Sequence, residues 1–167
     1  MELLDIYDAQ GRLTGRVIER NGKVEPGDRL LIVHVCLFNS KGELLIQKRQ
    51  DSKDRYPGCW DVSAGGFARS GEDSIGCALR ELSEELGLRV EKEQLRFLLR
   101  EPFSYVLDDF YLLRGDYDAS SLTLQVEEVS EAAWAGWEEI HAMLSDGRFV
   151  DYDMGLMERI FALAAGM

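Results

Sequence analysis

The sequence lacks the features that mark membrane, secreted and nucleic-acid-binding proteins. No apolar run approaches the roughly 20 residues that a transmembrane helix needs. The first ten residues, MELLDIYDAQ, contain neither the basic nor the apolar region of a signal peptide. We therefore expect a cytoplasmic protein with no membrane partner. Lys and Arg number 19 against 31 Asp and Glu, which gives a net charge of −12. Because a duplex-binding surface needs clustered basic side chains, binding to a nucleic-acid duplex is disfavoured.

Cysteine and histidine are also scarce. The three cysteines, Cys36, Cys59 and Cys77, are odd in number and widely spaced, which is not the pattern of a disulfide framework or a zinc knuckle. We expect them to be reduced and to pack as small apolar side chains. His34 lies within an apolar segment, where a hydrogen-bonded core histidine is a better interpretation than a metal ligand. His141 is assigned no role.

The remaining composition is that of a folded α/β protein. Of 167 residues, 46% are hydrophobic, enough for one domain over residues 1–167 that no repeat or linker divides. The predicted strands are Leu3–Tyr7, Leu13–Glu19, Leu30–Phe38, Glu43–Arg49, Trp60–Ala64, Leu95–Val106, Phe110–Tyr117 and Val126–Trp134. The predicted helices are Asp73–Leu86, Glu138–Ser145 and Met154–Ala165. Residues 107–109 are expected to form a turn. This order predicts a mixed β-sheet with helices packed on its faces.

The first helix presents three glutamates on one face. At about 100° per residue, an apolar stripe that we expect to face the core consists of Ile75, Leu79, Leu82 and Leu86. A second arc, roughly 140° away, consists of Glu81, Glu84 and Glu85. Gly87 is suited to end the helix, and Gly65, Gly66 and Gly71 to form the loop before it. An exposed acidic face is the alternative interpretation of the triplet. Mg²⁺, however, prefers such hard oxygen ligands, and carboxylates can hold a phosphate only through a cation.

The residues around the triplet follow a longer pattern. It reads Gly66, five residues, Glu72, seven residues, Arg80-Glu81-Leu82, one residue, Glu84-Glu85, one residue, Gly87-Leu88. Every position of the Nudix box is matched, a coincidence expected on the order of once in a million chains of this size. The chain therefore resembles the Nudix hydrolases, with the box at residues 66–88. The flanks VHVCLFNSKGELLIQKR and YPGCWDVSAGG resemble the isopentenyl-diphosphate-isomerase-like branch of that superfamily.

The resemblance implies an α/β/α sandwich around a mixed β-sheet. It also implies hydrolysis of a nucleoside diphosphate, or a related compound, linked to another moiety. Mg²⁺ is the implied cofactor, with Mn²⁺ as a substitute. By position in the box, the implied metal ligands are Gly66 through its carbonyl, Glu81, Glu84 and Glu85. Glu84 is alternatively the base that activates water. Arg80 is expected to orient the glutamates, with Glu72 as its partner.

Other residues are candidates for the base and for substrate binding. In many relatives the base lies outside the box, and here Glu127, Glu128 and Glu131 are available. Glu128 is our choice, although an exposed charge at a strand end is the alternative. The predicted catalytic residues are thus Glu84, Glu85, Arg80 and Glu128. The candidates for substrate binding are Arg49, Arg55 and Phe67, each of which is alternatively a surface or core residue.

Two rival functions share the fold. In an isomerase of isopentenyl diphosphate, the family cysteine would fall on Gly65 and a family histidine on Phe67. With only two histidines in the chain, that enzyme's metal site cannot be assembled. A non-catalytic Nudix domain that only binds a nucleotide usually loses box glutamates, which this chain keeps. The expected partner is a small diphosphate compound of unspecified identity. A homodimer is compatible with the resemblance, because family members are often dimers.

Overall fold

Nine strands and three α-helices are present in the computed structural model, which describes residues 1–166. The strands are β1 Leu3–Tyr7, β2 Leu13–Glu19, β3 Leu30–Phe38, β4 Leu44–Arg49, β5 Trp60–Asp61, β6 Ala64–Phe67, β7 Arg96–Phe103, β8 Val106–Arg114 and β9 Val129–Ala135. The helices are α1 Ser74–Leu86, α2 Trp137–Asp146 and α3 Met154–Gly166. Met167, the end of the predicted domain, lies outside the described residues. Within residues 1–166 no helix is long and apolar enough to span a membrane.

Seven strands form the central sheet, in the order β5-β4-β3-β8-β7, with β6 paired to β3 and β9 paired to β4. β3 and β8 are parallel, whereas the other pairs are antiparallel. The predicted mixed sheet is therefore confirmed. β1 and β2 form a separate antiparallel hairpin.

Strand β3 explains the layered arrangement, because its continuous apolar run is covered on both faces. Alternate residues such as Val33 and Val35 share a core with Leu82 and Leu86 of α1. The intervening residues Cys36 and Phe38 instead belong to a core on the opposite face, where Met157 and Ile160 of α3 pack. Helices thus cover both faces of the sheet, and the predicted α/β/α sandwich is confirmed.

The predicted turn at residues 107–109 is wrong, because these residues lie inside β8. The chain turns instead at Ser104 and Tyr105, and Ser104 has a φ of +54°. Two aspartates are tolerated in the strand because each has a partner. The Asp109 carboxylate accepts from Arg100 Nε at 2.6 Å, and the Asp108 carboxylate lies 2.8 Å from His34 Nε2.

The predicted strand Trp60–Ala64 is also wrong in its bounds, since it is divided into β5 and β6. The Ser63 side chain replaces regular pairing between them, because its hydroxyl donates to the Leu45 carbonyl and accepts from the Leu37 amide. Gly65 and Gly66, predicted in a loop, lie in β6 and pair with β3. β9 begins at Val129 rather than Val126, because residues 125–128 form a turn.

Two expectations about individual core residues are confirmed. His34 is a hydrogen-bonded core histidine whose ring stacks on Phe110 at a centroid distance of 4.6 Å. Cys36 and Cys77 are buried among apolar side chains, whereas Cys59 is only half-buried.

Candidate active site

Helix α1 begins and ends where its sequence predicts. Asp73 caps its first turn by accepting a hydrogen bond from the Gly76 amide at 2.8 Å. Gly87 ends it in the left-handed conformation, with a φ of +68°. The predicted apolar stripe faces the core: Leu82 and Leu86 are fully buried, and Ile75 and Leu79 are partly buried and pack against the same core. The residues that share the buried face with Leu82 and Leu86 are Cys77, Ala78, Glu81 and Glu85.

Two glutamates of α1 are held against strand β6. The Glu85 Oε1 atom accepts a hydrogen bond from the Gly65 amide at 2.7 Å. The Glu81 carboxylate lies so close to Gly66 that a Cβ added there would be 2.3 Å from Glu81 Oε1. A Cβ at Gly65 would lie 2.7 Å from the Val33 carbonyl oxygen of the paired strand. A side chain is therefore excluded at both positions, at Gly65 by the backbone of the paired strand and at Gly66 by the Glu81 carboxylate.

Arg80 connects the acidic groups of the box. Its guanidinium donates to both carboxylate oxygens of Glu72, at 2.8 and 3.0 Å. Its Nη1 atom donates to Glu81 Oε1 at 2.7 Å and to Glu84 Oε2 at 3.2 Å. Its Nη2 atom also donates to the Phe67 carbonyl at 3.1 Å. The planar guanidinium thus holds three carboxylates at set positions.

The glutamates differ in exposure. Glu81 and Glu85 are only 9% and 7% exposed, whereas Glu84 reaches solvent. Burial raises the pKa of Glu81 to about 7, although Arg80 acts in the opposite direction. Burial and the nearby charge of Glu81 raise the pKa of Glu85 to about 8. Both carboxylates therefore lack sufficient compensating positive charge, a shortage that a bound cation would relieve.

These groups line one cleft of about 160 Å³. Its lining residues are Glu2, Arg20, Gly65, Gly66, Arg69, Arg80, Glu81, Glu84, Glu85, Gln125 and Glu128. The volume is several times the roughly 30 Å³ share of one water molecule, so a hydrated ion would fit. The structure thus brings together all the residues predicted as metal ligands and all those predicted as catalytic.

The donor set fits a hard divalent cation. It consists of three carboxylates and one backbone carbonyl, and Mg²⁺ needs only a few such oxygens because it keeps several waters. In their present positions, no three or more Asp, Glu, His or Cys side chains within residues 1–166 are grouped so that they could hold a metal ion. Arg80 instead bonds to Glu81 and Glu84. An ion bound to these oxygens would require those two side chains to turn from Arg80 towards the cleft.

The candidates outside the box are placed unequally. Glu128 lines the cleft and forms an ion pair with Lys53, whose Nζ atom lies 2.5 Å from its carboxylate. Glu127 and Glu131 do not line it. Glu131 instead lies opposite Lys48 in the antiparallel register of strands β9 and β4.

The predicted substrate-binding residues lie outside the cleft lining. Arg49 donates from Nε and Nη2 to the Arg55 carbonyl, at 3.1 and 2.9 Å, and its Nη1 atom lies 3.7 Å from Asp61. The Phe67 ring lies 5.5 Å beneath the Arg20 guanidinium and packs beside a small core around Leu4. Their binding role stays a prediction.

Five cleft residues were not predicted as site residues: Glu2, Arg20, Gly65, Arg69 and Gln125. Arg69 lies within the box segment, so its place beside the glutamates could have been inferred from the motif. Glu2 and Arg20 belong to the N-terminal hairpin, and nothing in the sequence indicates where that hairpin docks.

Comparisons with known proteins agree with this geometry. The family model of the NUDIX domain matches residues 22–154. The Nudix hydrolase lmo0368 of Listeria monocytogenes is 42% identical over 152 residues, which is 91% of this chain and 90% of that protein. An isopentenyl-diphosphate Delta-isomerase of Halorhodospira halophila is 37% identical over 118 residues, 71% of this chain and 65% of that protein. The crystal structure of DR0079 from Deinococcus radiodurans superposes with a TM-score of 0.78 at 27% identity, covering 95% of this chain and 98% of that one.

Proposed function

The chain belongs to the Nudix family of hydrolases, and on that premise we propose that it is a Mg²⁺-dependent enzyme that cleaves a diphosphate linkage. The substrate is a nucleoside diphosphate linked to another moiety, or a related small compound, and water attacks phosphorus. The observation that carries the proposal is the position of Glu81, Glu84, Glu85 and Gly66 around one open cleft. Mn²⁺ is expected to substitute for Mg²⁺, since it also accepts oxygen ligands.

The residues of the cleft have different roles in the proposed reaction. When bound, Mg²⁺ neutralises phosphate charge and increases the acidity of the attacking water. Glu81, Glu84, Glu85 and the Gly66 carbonyl would hold it. In the metal-free protein Arg80 holds the Glu81 and Glu84 carboxylates beside the cleft, and is itself fixed by the two bonds to Glu72.

Glu128 is the proposed base, because its carboxylate lines the same cleft without belonging to the ligand set. Lys53 fixes the position of this carboxylate in the free protein. Glu84 is the alternative base, since it is exposed and only one of its oxygens accepts a hydrogen bond from Arg80.

Isomerase activity is disfavoured by the same geometry, although one relative bears that name. The position expected for the isomerase cysteine holds Gly65, where a Cβ would meet the Val33 carbonyl at 2.7 Å. The position expected for a family histidine holds Phe67, which packs under Arg20. A non-catalytic nucleotide sensor is disfavoured because every box glutamate is present and positioned.

A substrate panel tests the proposal. Nucleoside triphosphates, nucleotide sugars, dinucleoside polyphosphates and non-nucleotide diphosphates would be incubated with Mg²⁺ or Mn²⁺, with phosphate and pyrophosphate measured separately. We expect metal-dependent release from one class, abolished in Glu85→Gln and retained in the matched control Glu127→Gln. Isomerisation of an allylic diphosphate without phosphate release would favour the isomerase. Nucleotide binding without any product would favour the sensor.

Three further points stay predictions: the cytoplasmic location, the homodimer, and the extent of a single domain over residues 1–167. The direct roles of Arg49, Arg55 and Phe67 in binding substrate also stay predictions, and single substitutions in the same panel would test them through KM.

A further inference from the structure

Two arginines in the cleft share a single carboxylate. Arg20 Nη1 donates to Glu2 Oε2 at 2.8 Å, and Arg69 Nε donates to Glu2 Oε1 at 2.8 Å. Their side chains remain 51% and 45% exposed, so both guanidinium groups still face the open cleft. The Arg69 Nη2 atom lies only 3.6 Å from Glu84 Oε1. This arginine pair therefore lies next to the acidic bank, by which we mean the box glutamates Glu81, Glu84 and Glu85.

The N-terminal hairpin brings the pair together. Strands β1 and β2 place Glu2 beside Arg20, whose amide donates to the Glu2 carbonyl at 3.0 Å. The hairpin docks on the box loop, since the Ser70 amide donates to the Leu3 carbonyl at 2.8 Å and the Gly71 amide donates to Asp5 at 2.8 Å. Glu2 and Arg20 precede residues 22–154, which the family model matches. Part of the cleft is thus an addition outside the matched region.

Most of the donor capacity of the pair is unused. A guanidinium carries five N–H groups, and each of these arginines donates one of them to Glu2. The other guanidinium N–H groups of Arg20 and Arg69 donate no hydrogen bond to any residue in the described range 1–166. Glu2 accepts from both guanidinium groups and so holds them side by side, with their other N–H groups available to a second anion. In a chain with a net charge of −12, two half-exposed cations beside a bank of glutamates form an anion site with a specific geometry.

We infer that Arg20 and Arg69 form a phosphate-binding subsite, which holds the substrate phosphate that lies beyond the one over Glu81, Glu84 and Glu85. This inference rests on the proposed function, because it assigns the second phosphate of the same diphosphate. Glu2 is a positioning residue that keeps the two guanidinium groups side by side. The cleft adjoins an open depression lined by Met1, Glu2, Leu3, Arg69 and Ser70, so the substrate can extend past the pair towards solvent.

Binding of inorganic pyrophosphate in the presence of Mg²⁺ tests the subsite by calorimetry. We expect Arg20→Gln and Arg69→Gln each to weaken binding about 10- to 100-fold, the range for a lost hydrogen bond to a charged group. Arg69→Lys keeps the positive charge but loses the planar set of N–H donors of a guanidinium. Its affinity for pyrophosphate is therefore expected to lie between those of Arg69→Gln and the unmodified chain. Arg12→Gln is the matched control, since Arg12 lies on the same hairpin, pairs only locally with Asp8 and is outside the cleft.

The opposing interpretation is that the arginines merely attach the hairpin to the box loop. In that case the double variant Arg20→Gln/Arg69→Gln would lower the melting temperature and leave pyrophosphate binding unchanged, and the inference would be overturned. Failure of the unmodified chain to bind pyrophosphate with Mg²⁺ would overturn it as well.

A kinetic readout separates this subsite from the proposed function. With a substrate from the panel, the arginine variants are expected to lower kcat/KM by a factor similar to their loss of pyrophosphate binding, since the second phosphate contacts the arginines both before and during hydrolysis. Pyrophosphate binding needs no turnover. Weakened binding in the variants together with an inactive unmodified chain would therefore refute the proposed hydrolysis alone. An active chain whose variants bind and react normally would refute the subsite alone.

Discussion

Substitution of Gly66 by alanine is the sharpest test of the site geometry. The φ of Gly66 is not positive, so alanine adds no backbone strain. Its new methyl group would instead lie 2.3 Å from Glu81 Oε1 and 2.7 Å from Glu81 Cδ. To reach ordinary van der Waals contact, the Glu81 carboxylate must move by roughly 1 Å, a displacement that can cost about 10²-fold in rate. We expect a loss of about that size in kcat/KM.

Stability should change much less than activity. The group that must move is the end of a side chain rather than backbone, so the free energy of unfolding is expected to fall by about 1 kcal/mol, at the low end for overpacking. Gly136→Ala is the control for kcat/KM, since Gly136 lies outside the cleft lining and a Cβ there would meet nothing within 4 Å. Because Gly136 is the N-cap of α2, this variant is expected to lose some stability of its own. Both variants would be assayed by steady-state kinetics and by urea unfolding. Unchanged kcat/KM in Gly66→Ala would refute the reasoning, because the position of Glu81 would then be irrelevant to catalysis.

Three other predictions follow from the same contacts. Mg²⁺ at 100 times its Kd is expected to stabilise the fold by about 2.7 kcal/mol, a rise of about 5–10 °C in Tm; calorimetry should find no such rise in Glu85→Gln. Glu128→Gln should lower kcat by about 10²-fold or more while KM is kept; a kcat as high as that of Glu127→Gln would exclude Glu128 as the base. Although burial opposes it, bonding from Arg69 and Arg20 lowers the pKa of Glu2, so its stabilisation exists above the ordinary carboxyl pKa and disappears as pH falls through the lowered value. Glu2→Gln should therefore reduce Tm by a few degrees at pH 7 and by less at pH 3; equal effects at both pH values would contradict this assignment.

Strand and helix positions were predictable where a local pattern decides them. β1, β2 and β3 have the predicted bounds. For β3, a continuous apolar and β-branched run bounded by turn residues is sufficient to specify the strand. Helix α1 was predictable from its capping residue Asp73 and its terminal glycine Gly87. These signals act within a few residues, so no knowledge of the tertiary structure is needed.

The errors arose where distant partners decide the structure. Asp108 and Asp109 have the composition of a turn, yet they lie in β8 because His34 and Arg100 pair with them across the sheet. Helical spacing places Glu81 and Glu85 near each other. It does not reveal that strand β6 covers both of them, because that burial depends on how β6 pairs with β3.

The Nudix box and the N-terminal hairpin contribute different parts of the cleft. The box residues assemble an acidic bank with one fixed arginine, and this bank alone can hold only a cation. A diphosphate carries negative charge on two phosphates. The cation neutralises charge on the nearer phosphate, so the other phosphate needs hydrogen-bond donors from outside the box. In the inferred subsite Arg20 supplies such donors; its amide donates to the Glu2 carbonyl, and its guanidinium lies over the Phe67 ring. On the proposed function and the inferred subsite, helix α1 determines the metal chemistry, whereas the preference among diphosphates depends on which side chains the hairpin places in the cleft.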